Sequence, residues 1–134
     1  MSADASTSVP ANGRETQIAK LTVYHLSRLV FTETALTGAQ LEERSDLEKF
    51  ETTDRARIDE TIERIDRVAT TPTSDVCDAR WGLVFSNAAG VRVRSFYLDR
   101  FGTTGELDGA PVALPDESLI DWLRGQYGPD GVLS

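Results

Sequence analysis

The chain has few of the residues that metal and redox sites use. Among its 134 residues there is one cysteine, Cys77, and one histidine, His25. A single cysteine forms neither an internal disulfide nor a thiolate metal cluster. Asp75 and Asp78 lie close to Cys77, but their spacing matches no calcium loop. We therefore expect a solvated acidic loop there, with no metal and no cofactor.

Long apolar runs and an excess of positive charge are also absent. No run approaches the roughly 18 apolar residues of a membrane span, and residues 1–16 contain no apolar signal-peptide core. The net charge of −8 repels phosphate backbones. We therefore expect no membrane span and no nucleic-acid partner. The sequence does not determine the cellular compartment. Cytoplasm is the default expectation, and export or lipid anchoring is expected if the N-terminus has been trimmed.

Catalytic motifs are missing too, since there is no Gly-rich phosphate loop and no serine at a strand-to-helix elbow. His25 and Cys77 are the one thiol–base pair that the composition allows, but we interpret them as a strand histidine and a packing thiol. Asp99, Glu106 and Asp108 lie near a hairpin, where aspartate commonly caps a turn. The sequence favours a protein that is not an enzyme, with a small hydrolase using His25 or these carboxylates as a remote alternative.

Length and composition indicate one domain. Hydrophobic residues make up 40% of the chain and charged residues 27%, which is typical of a soluble globular domain. We predict a disordered tether at residues 1–16, a single domain at 17–128 and a C-terminal tail at 129–134. Two of the 14 basic residues are lysine, a usage that suits a GC-rich, bacterial genome.

The clearest strand signal spans residues 80–87, followed by turn residues and a second strand. Three large apolar side chains recur there at alternate positions: Trp81, Leu83 and Phe85. The alternation slips in the second strand near Ser95. A bulge at that point would return Phe96 and Leu98 to the apolar face.

The other elements follow from apolar periodicity and turn residues. We predict strands at 17–26 and 47–52, a ribbon around 105–112, and helices at 38–44, 55–69 and 115–127. Strand 47–52 is charged and is expected at a sheet edge. The order β-α-β-α-β-β-ribbon-α predicts an α+β fold: a single antiparallel sheet of about four to five strands with helices packed on one face.

Positive charge is concentrated in residues 80–100, where four arginines stand against the single acid Asp99. Arginine beside aromatic residues is typical of protein interfaces. We interpret five residues as a partner-binding sheet face: Arg80, Arg92, Arg94, Tyr97 and Arg100. The hypothesis is a non-enzymatic interaction module of the immunity, inhibitor or accessory type, binding another protein or a second copy through the sheet edge or face. The opposing interpretation pairs these arginines with the protein's own acids.

A second hypothesis is a small-ligand-binding domain. Its apolar pocket would lie between the sheet and the helices, where large aromatic side chains are expected to meet. Four residues would line this pocket: Trp81, Phe85, Phe96 and Trp122.

Overall fold

The structure, a computed structural model, describes residues 17–27, 30 and 32–127. The predicted tether at 1–16 and tail at 129–134 lie outside these residues. The described strands are β1 (Lys20–His25), β2 (Glu48–Thr52), β3 (Thr71–Pro72), β4 (Trp81–Ser86), β5 (Arg92–Leu98), β6 (Thr104–Leu107) and β7 (Ala110–Ala113). The described helices are α1 (Gly38–Glu42), α2 (Arg55–Arg67) and α3 (Ser118–Tyr127).

Within the described residues, seven strands form one antiparallel sheet in the order β2-β1-β4-β5-β6-β7-β3. The predicted α+β class and single antiparallel sheet are confirmed, but the predicted count of four to five strands is too low. The ribbon β6–β7 is hydrogen-bonded to β5 and so continues the main sheet. The two-residue strand β3, in a segment between 70 and 79 where no strand or helix is predicted, adds the last edge.

The main core lies between one face of the sheet and helices α2 and α3. Trp81, Leu83 and Phe85 point into it and are at most 2% exposed. Helix α2 contributes Ile58 and Ile65, which are seven residues apart and therefore lie on one helical face. The apolar face indicated by the alternation of Trp81, Leu83 and Phe85 is therefore the core face of the sheet.

The predicted bulge is present, two residues earlier than expected. Phe85 pairs with Arg94 and Ser86 pairs with Arg92, so Val93 is the extra residue on β5. One extra residue reverses the alternation of the rest of the strand. As a result Phe96 is buried in the main core.

Helix α1 corrects the prediction that all helices pack on one face. The Tyr97 ring lies against Gly38 of α1 and Gly82 of β4, on the side of the sheet opposite the main core. A capping box at Thr37 and Gln40 starts this short helix, as its spacing predicted. Because Leu41 is also fully buried there, the sheet face expected to be open is partly covered.

Candidate functional site

The structure does not place the five predicted partner-binding residues on one surface. Arg80 is 2% exposed and lies beneath the segment that contains Val30 and Thr32. Its guanidinium donates to the Val30 carbonyl at 2.9 Å and to Thr32 Oγ1 at 3.1 Å, and it pairs with Asp78 at 2.9 Å. Arg80 therefore joins segments of the fold and presents no charge to a partner.

Arg92 and Tyr97 belong to a polar network that holds α1 on the sheet. Arg92 Nη2 donates to Glu42 Oε1 at 2.6 Å, and Arg92 Nη1 donates to the Tyr97 hydroxyl at 3.1 Å. The Tyr97 hydroxyl donates to Glu42 Oε2. Burial and the hydrogen bond to Glu42 raise the pKa of Tyr97 well above its ordinary value, so the phenol stays protonated.

Arg94 and Arg100 lie elsewhere. Arg94 pairs with Asp66 of α2 at 3.3 Å and lies 3.7 Å from Asp108. Arg100 is half-buried in the turn after β5, where its carbonyl accepts from Arg124 at 2.9 Å. Of the five predicted residues, only Arg92 is well exposed, with 49% of its side chain accessible.

The four residues proposed to line an apolar pocket are part of the packed core instead. Trp81, Phe85 and Phe96 are each at most 2% exposed and belong to the same buried cluster as residues of α2 and α3. Trp122 packs at the edge of the same cluster. Two cavities formed by described residues, one beside α1 and one between α2 and α3, contain none of these four side chains in their walls.

His25 and Cys77 do not form a catalytic pair. His25 stacks on Trp81, with ring centroids 4.2 Å apart, and its Nδ1 lies 3.1 Å from Glu48 Oε1. Cys77 packs against the buried residues around α1, which include Leu41 and Tyr97, on the opposite face of the sheet. Burial raises the pKa of the Cys77 thiol to about 12, helped by Asp99 and other nearby acids, so the thiol stays protonated.

Two of the three hairpin carboxylates accept hydrogen bonds from backbone N–H groups of the fold. Asp99 Oδ1 accepts from the backbone N–H groups of Phe101, Gly102 and Thr103 at 3.2, 2.7 and 3.2 Å. Asp108 Oδ1 accepts from the Ser95 N–H at 2.9 Å. The Asp99 contacts are those of a turn-capping residue, and the Asp108 contact joins the β6–β7 hairpin to β5, so one oxygen of each carboxylate serves the fold.

A cluster of arginine and aromatic side chains lies where α2, α3 and β2 meet. The ring of Phe50 is 5.5 Å from that of Tyr127, which is 6.4 Å from that of Trp122. The Arg57 guanidinium carbon lies 5.8 Å from the Phe50 ring and 5.6 Å from the Tyr127 ring. The Arg64 guanidinium carbon lies 5.2 Å from the Trp122 ring. We call these five residues the Arg–aromatic cluster.

The arginines of this cluster differ from most of the others. Seven arginines each pair with a carboxylate: Arg44, Arg55, Arg67, Arg80, Arg92, Arg94 and Arg124. Within the described part of the chain, no carboxylate pairs with Arg57 or Arg64. Arg57 Nη1 is in addition buried without any hydrogen-bond partner there. A buried donor left unbonded costs about 1–3 kcal/mol, which the two ring contacts offset in part.

The sequence contains a signal for this cluster that the prediction missed. Arg57, Thr61 and Arg64 are spaced four and three residues apart, so they lie on one face of α2 beside its apolar stripe. Thr61 Oγ1 lies 2.9 Å from the Tyr127 hydroxyl and joins this face to α3. Which aromatic residues meet this face depends on the packing of α3, and the sequence alone does not show it.

Comparisons with known proteins identify no relative. No protein-family model, no curated protein and no solved structure matches the chain. Among the described residues, no helix is long and apolar enough to cross a membrane. The same residues contain no group of three or more histidine, cysteine, aspartate or glutamate side chains placed to hold a metal ion.

Proposed function

We propose that this protein is a non-enzymatic interaction module that binds another protein through the Arg–aromatic cluster. The observation that carries the proposal is the state of Arg57, whose guanidinium lies on two rings with Nη1 buried and unbonded among the described residues. An unfavourable local arrangement that adds no stability to the fold is expected at functional positions. Because Nη1 is itself buried, a partner oxygen can accept from it only once the Arg57 side chain shifts, and that bond would remove the cost.

The composition of the cluster supports this surface. Tryptophan, tyrosine and arginine are the residues that carry most binding energy in protein interfaces. The accessible part of the cluster contains tryptophan and arginine: Arg57, Arg64 and Trp122 are half-buried with part of each surface accessible, whereas Tyr127 is fully buried beneath Arg57. Since Arg57 and Arg64 pair with no carboxylate of the described residues, a carboxylate of the partner is the preferred acceptor.

The edge strands of the sheet disfavour a homodimer formed by strand pairing. They therefore favour a different protein as the partner. Edge strand β2 carries Glu48, Lys49 and Glu51, and the other edge β3 has two residues, one of which is Pro72. Charges, proline and short length are the features by which proteins prevent edge pairing. The helix side of the molecule is therefore the better candidate surface.

The test is affinity capture from the native source, followed by measurement of the affinity of the identified partner for variants. Arg57→Met keeps the side-chain length and removes the donors. We expect it to weaken binding by about 2 kcal/mol, which is roughly 30-fold in Kd, because it deletes a hot-spot arginine.

Two control variants separate this surface from the predicted sheet face. Arg44→Gln removes one charge from an arginine that pairs locally with Asp46, and it should bind as the wild type does. Arg92→Gln combined with Arg94→Gln should also bind normally. If this double variant loses the partner while Arg57→Met keeps it, the sheet-face hypothesis is favoured and binding through the Arg–aromatic cluster is wrong.

A further inference from the structure

A cleft of about 180 Å³ lies on the α1 side of the sheet. Its walls come from the start of α1, the loop before β4, and strands β5 to β7. Six of the wall residues determine its shape and chemistry: Gly38, Asp75, Val76, Cys77, Tyr97 and Glu106. The cleft is separate from the Arg–aromatic cluster, because Tyr97 faces away from the main core.

The charge of this cleft is negative. Its wall contains two carboxylates, Asp75 and Glu106, and none of its residues is basic. Glu106 is half-buried, and the described residues form no hydrogen bond or ion pair to its carboxylate. Nearby Asp99, Glu106 and Asp78 add to burial in raising the pKa of Cys77, which is consistent with a negative local field.

The aromatic side chain of Tyr97 lies beside that of Glu106. Tyr97 and Glu106 are directly paired across β5 and β6, so their side chains project from the same face of the sheet. The Tyr97 hydroxyl is bonded to Glu42 and its ring packs against Gly38 and Gly82, so Tyr97 forms an aromatic part of the cleft wall. A carboxylate beside an aromatic face is an arrangement that attracts an organic cation.

The size and rim of the cleft restrict the ligand further. Its volume is below the several hundred cubic ångströms typical of drug-sized ligands, so it suits a group of side-chain size. Val76 at the rim is 80% exposed, which provides apolar contact for an alkyl chain.

We propose that this cleft binds a primary alkylammonium group, with Glu106 as the counter-ion, the Tyr97 ring as a cation–π contact and Val76 against the alkyl chain. The group is either the lysine side chain of another protein or a free aliphatic amine. The proposal is independent of the function proposed above, because no residue of the Arg–aromatic cluster takes part.

The test is an NMR titration of the ¹⁵N-labelled full chain with n-butylammonium, and with n-butanol as the neutral probe of equal length. We expect saturable amide shifts at residues 74–79 and 104–106 with butylammonium only. Glu106→Gln keeps the shape of the side chain and should weaken binding about tenfold or more, because a charge-assisted contact is lost.

The matched control is Glu63→Gln, which removes a carboxylate that pairs with Arg67 on the far helix. It should leave the titration unchanged. Equal shifts with butanol, no saturation with butylammonium, or unchanged binding by Glu106→Gln would each overturn the proposal.

Two further probes distinguish the sources of the ammonium group. Nα-acetyl-lysine N-methylamide represents a lysine within a protein, and cadaverine represents a free amine. Tighter binding of the first supports the site as a lysine pocket, and tighter binding of the second supports it as an amine site. Failure of both to bind contradicts the proposal.

Discussion

At the scale of single residues, His25 shows how burial sets charge. Its side chain is 13% exposed and stacks on Trp81, and burial lowers its pKa below 6.5 although the contact with Glu48 acts in the opposite direction. The unfolded chain therefore binds a proton more readily than the folded protein. This contribution to stability is fully present above pH 6.5 and is lost as the pH falls from 6.5 through the lower pKa of the folded protein.

The prediction for His25 is a difference in pH dependence. His25→Gln removes the titrating group, so the free energy of unfolding should vary less with pH just below 6.5 than in the wild type, by about 1.4 kcal/mol for each unit by which the pKa is lowered. Urea unfolding at a series of pH values measures this.

Because His25 is the only histidine, its NMR signals give the folded pKa directly. A measured pKa at or above 6.5 would show that the contact with Glu48 outweighs burial, and the prediction would be wrong.

The arginines show why the sequence revealed the fold better than the site. Residues such as Trp81 could be assigned inward because alternation alone sets the face of a strand side chain. The partner of an arginine cannot be assigned in this way. Arg92 binds Glu42 and Arg80 binds Val30, and in both pairs the two residues are 50 positions apart in the sequence. Such pairs depend on tertiary packing, and local sequence patterns do not encode them.

At the scale of elements, α1 is held by a close approach that only glycine permits. A Cβ atom at Gly38 would lie 2.4 Å from Tyr97 Cζ. The Tyr97 ring is 4% exposed and its hydroxyl is tied to Glu42 and Arg92, so it has little freedom to move. The sequence predicted this helix from its capping box, but not the face of the sheet on which it packs.

We expect Gly38→Ala to destabilise the protein by about 1–3 kcal/mol, because overpacking forces the ring and its hydrogen bonds to shift. The matched substitution is Gly125→Ala in α3, where nothing lies within 4 Å of the added atom. It should stabilise the helix by about 0.5–1 kcal/mol. Thermal and urea unfolding measure both, and equal effects of the two substitutions would contradict the packing described for α1.

At the scale of the whole molecule, the chain has a net charge of −8 and 22 acidic residues. Most of its arginines are paired with those acids. Arg57 and Arg64 differ from them, because no carboxylate of the described residues pairs with either. The opposing interpretation considered for residues 80–100 is correct for Arg80, Arg92 and Arg94, which pair with acids of the protein itself. In the function proposed above, the positive charge that meets a partner is that of Arg57 and Arg64 on α2.

The proposed role of Arg57 is to bind a partner and not to stabilise the fold. The most direct measurement is the free energy of unfolding of Arg57→Met in urea, compared with that of the wild type. Methionine fills the space of the side-chain stem and leaves no buried donor unbonded, so the value should equal or exceed that of the wild type. A loss of about 2 kcal/mol or more would show that Arg57 is a structural residue and would contradict the account.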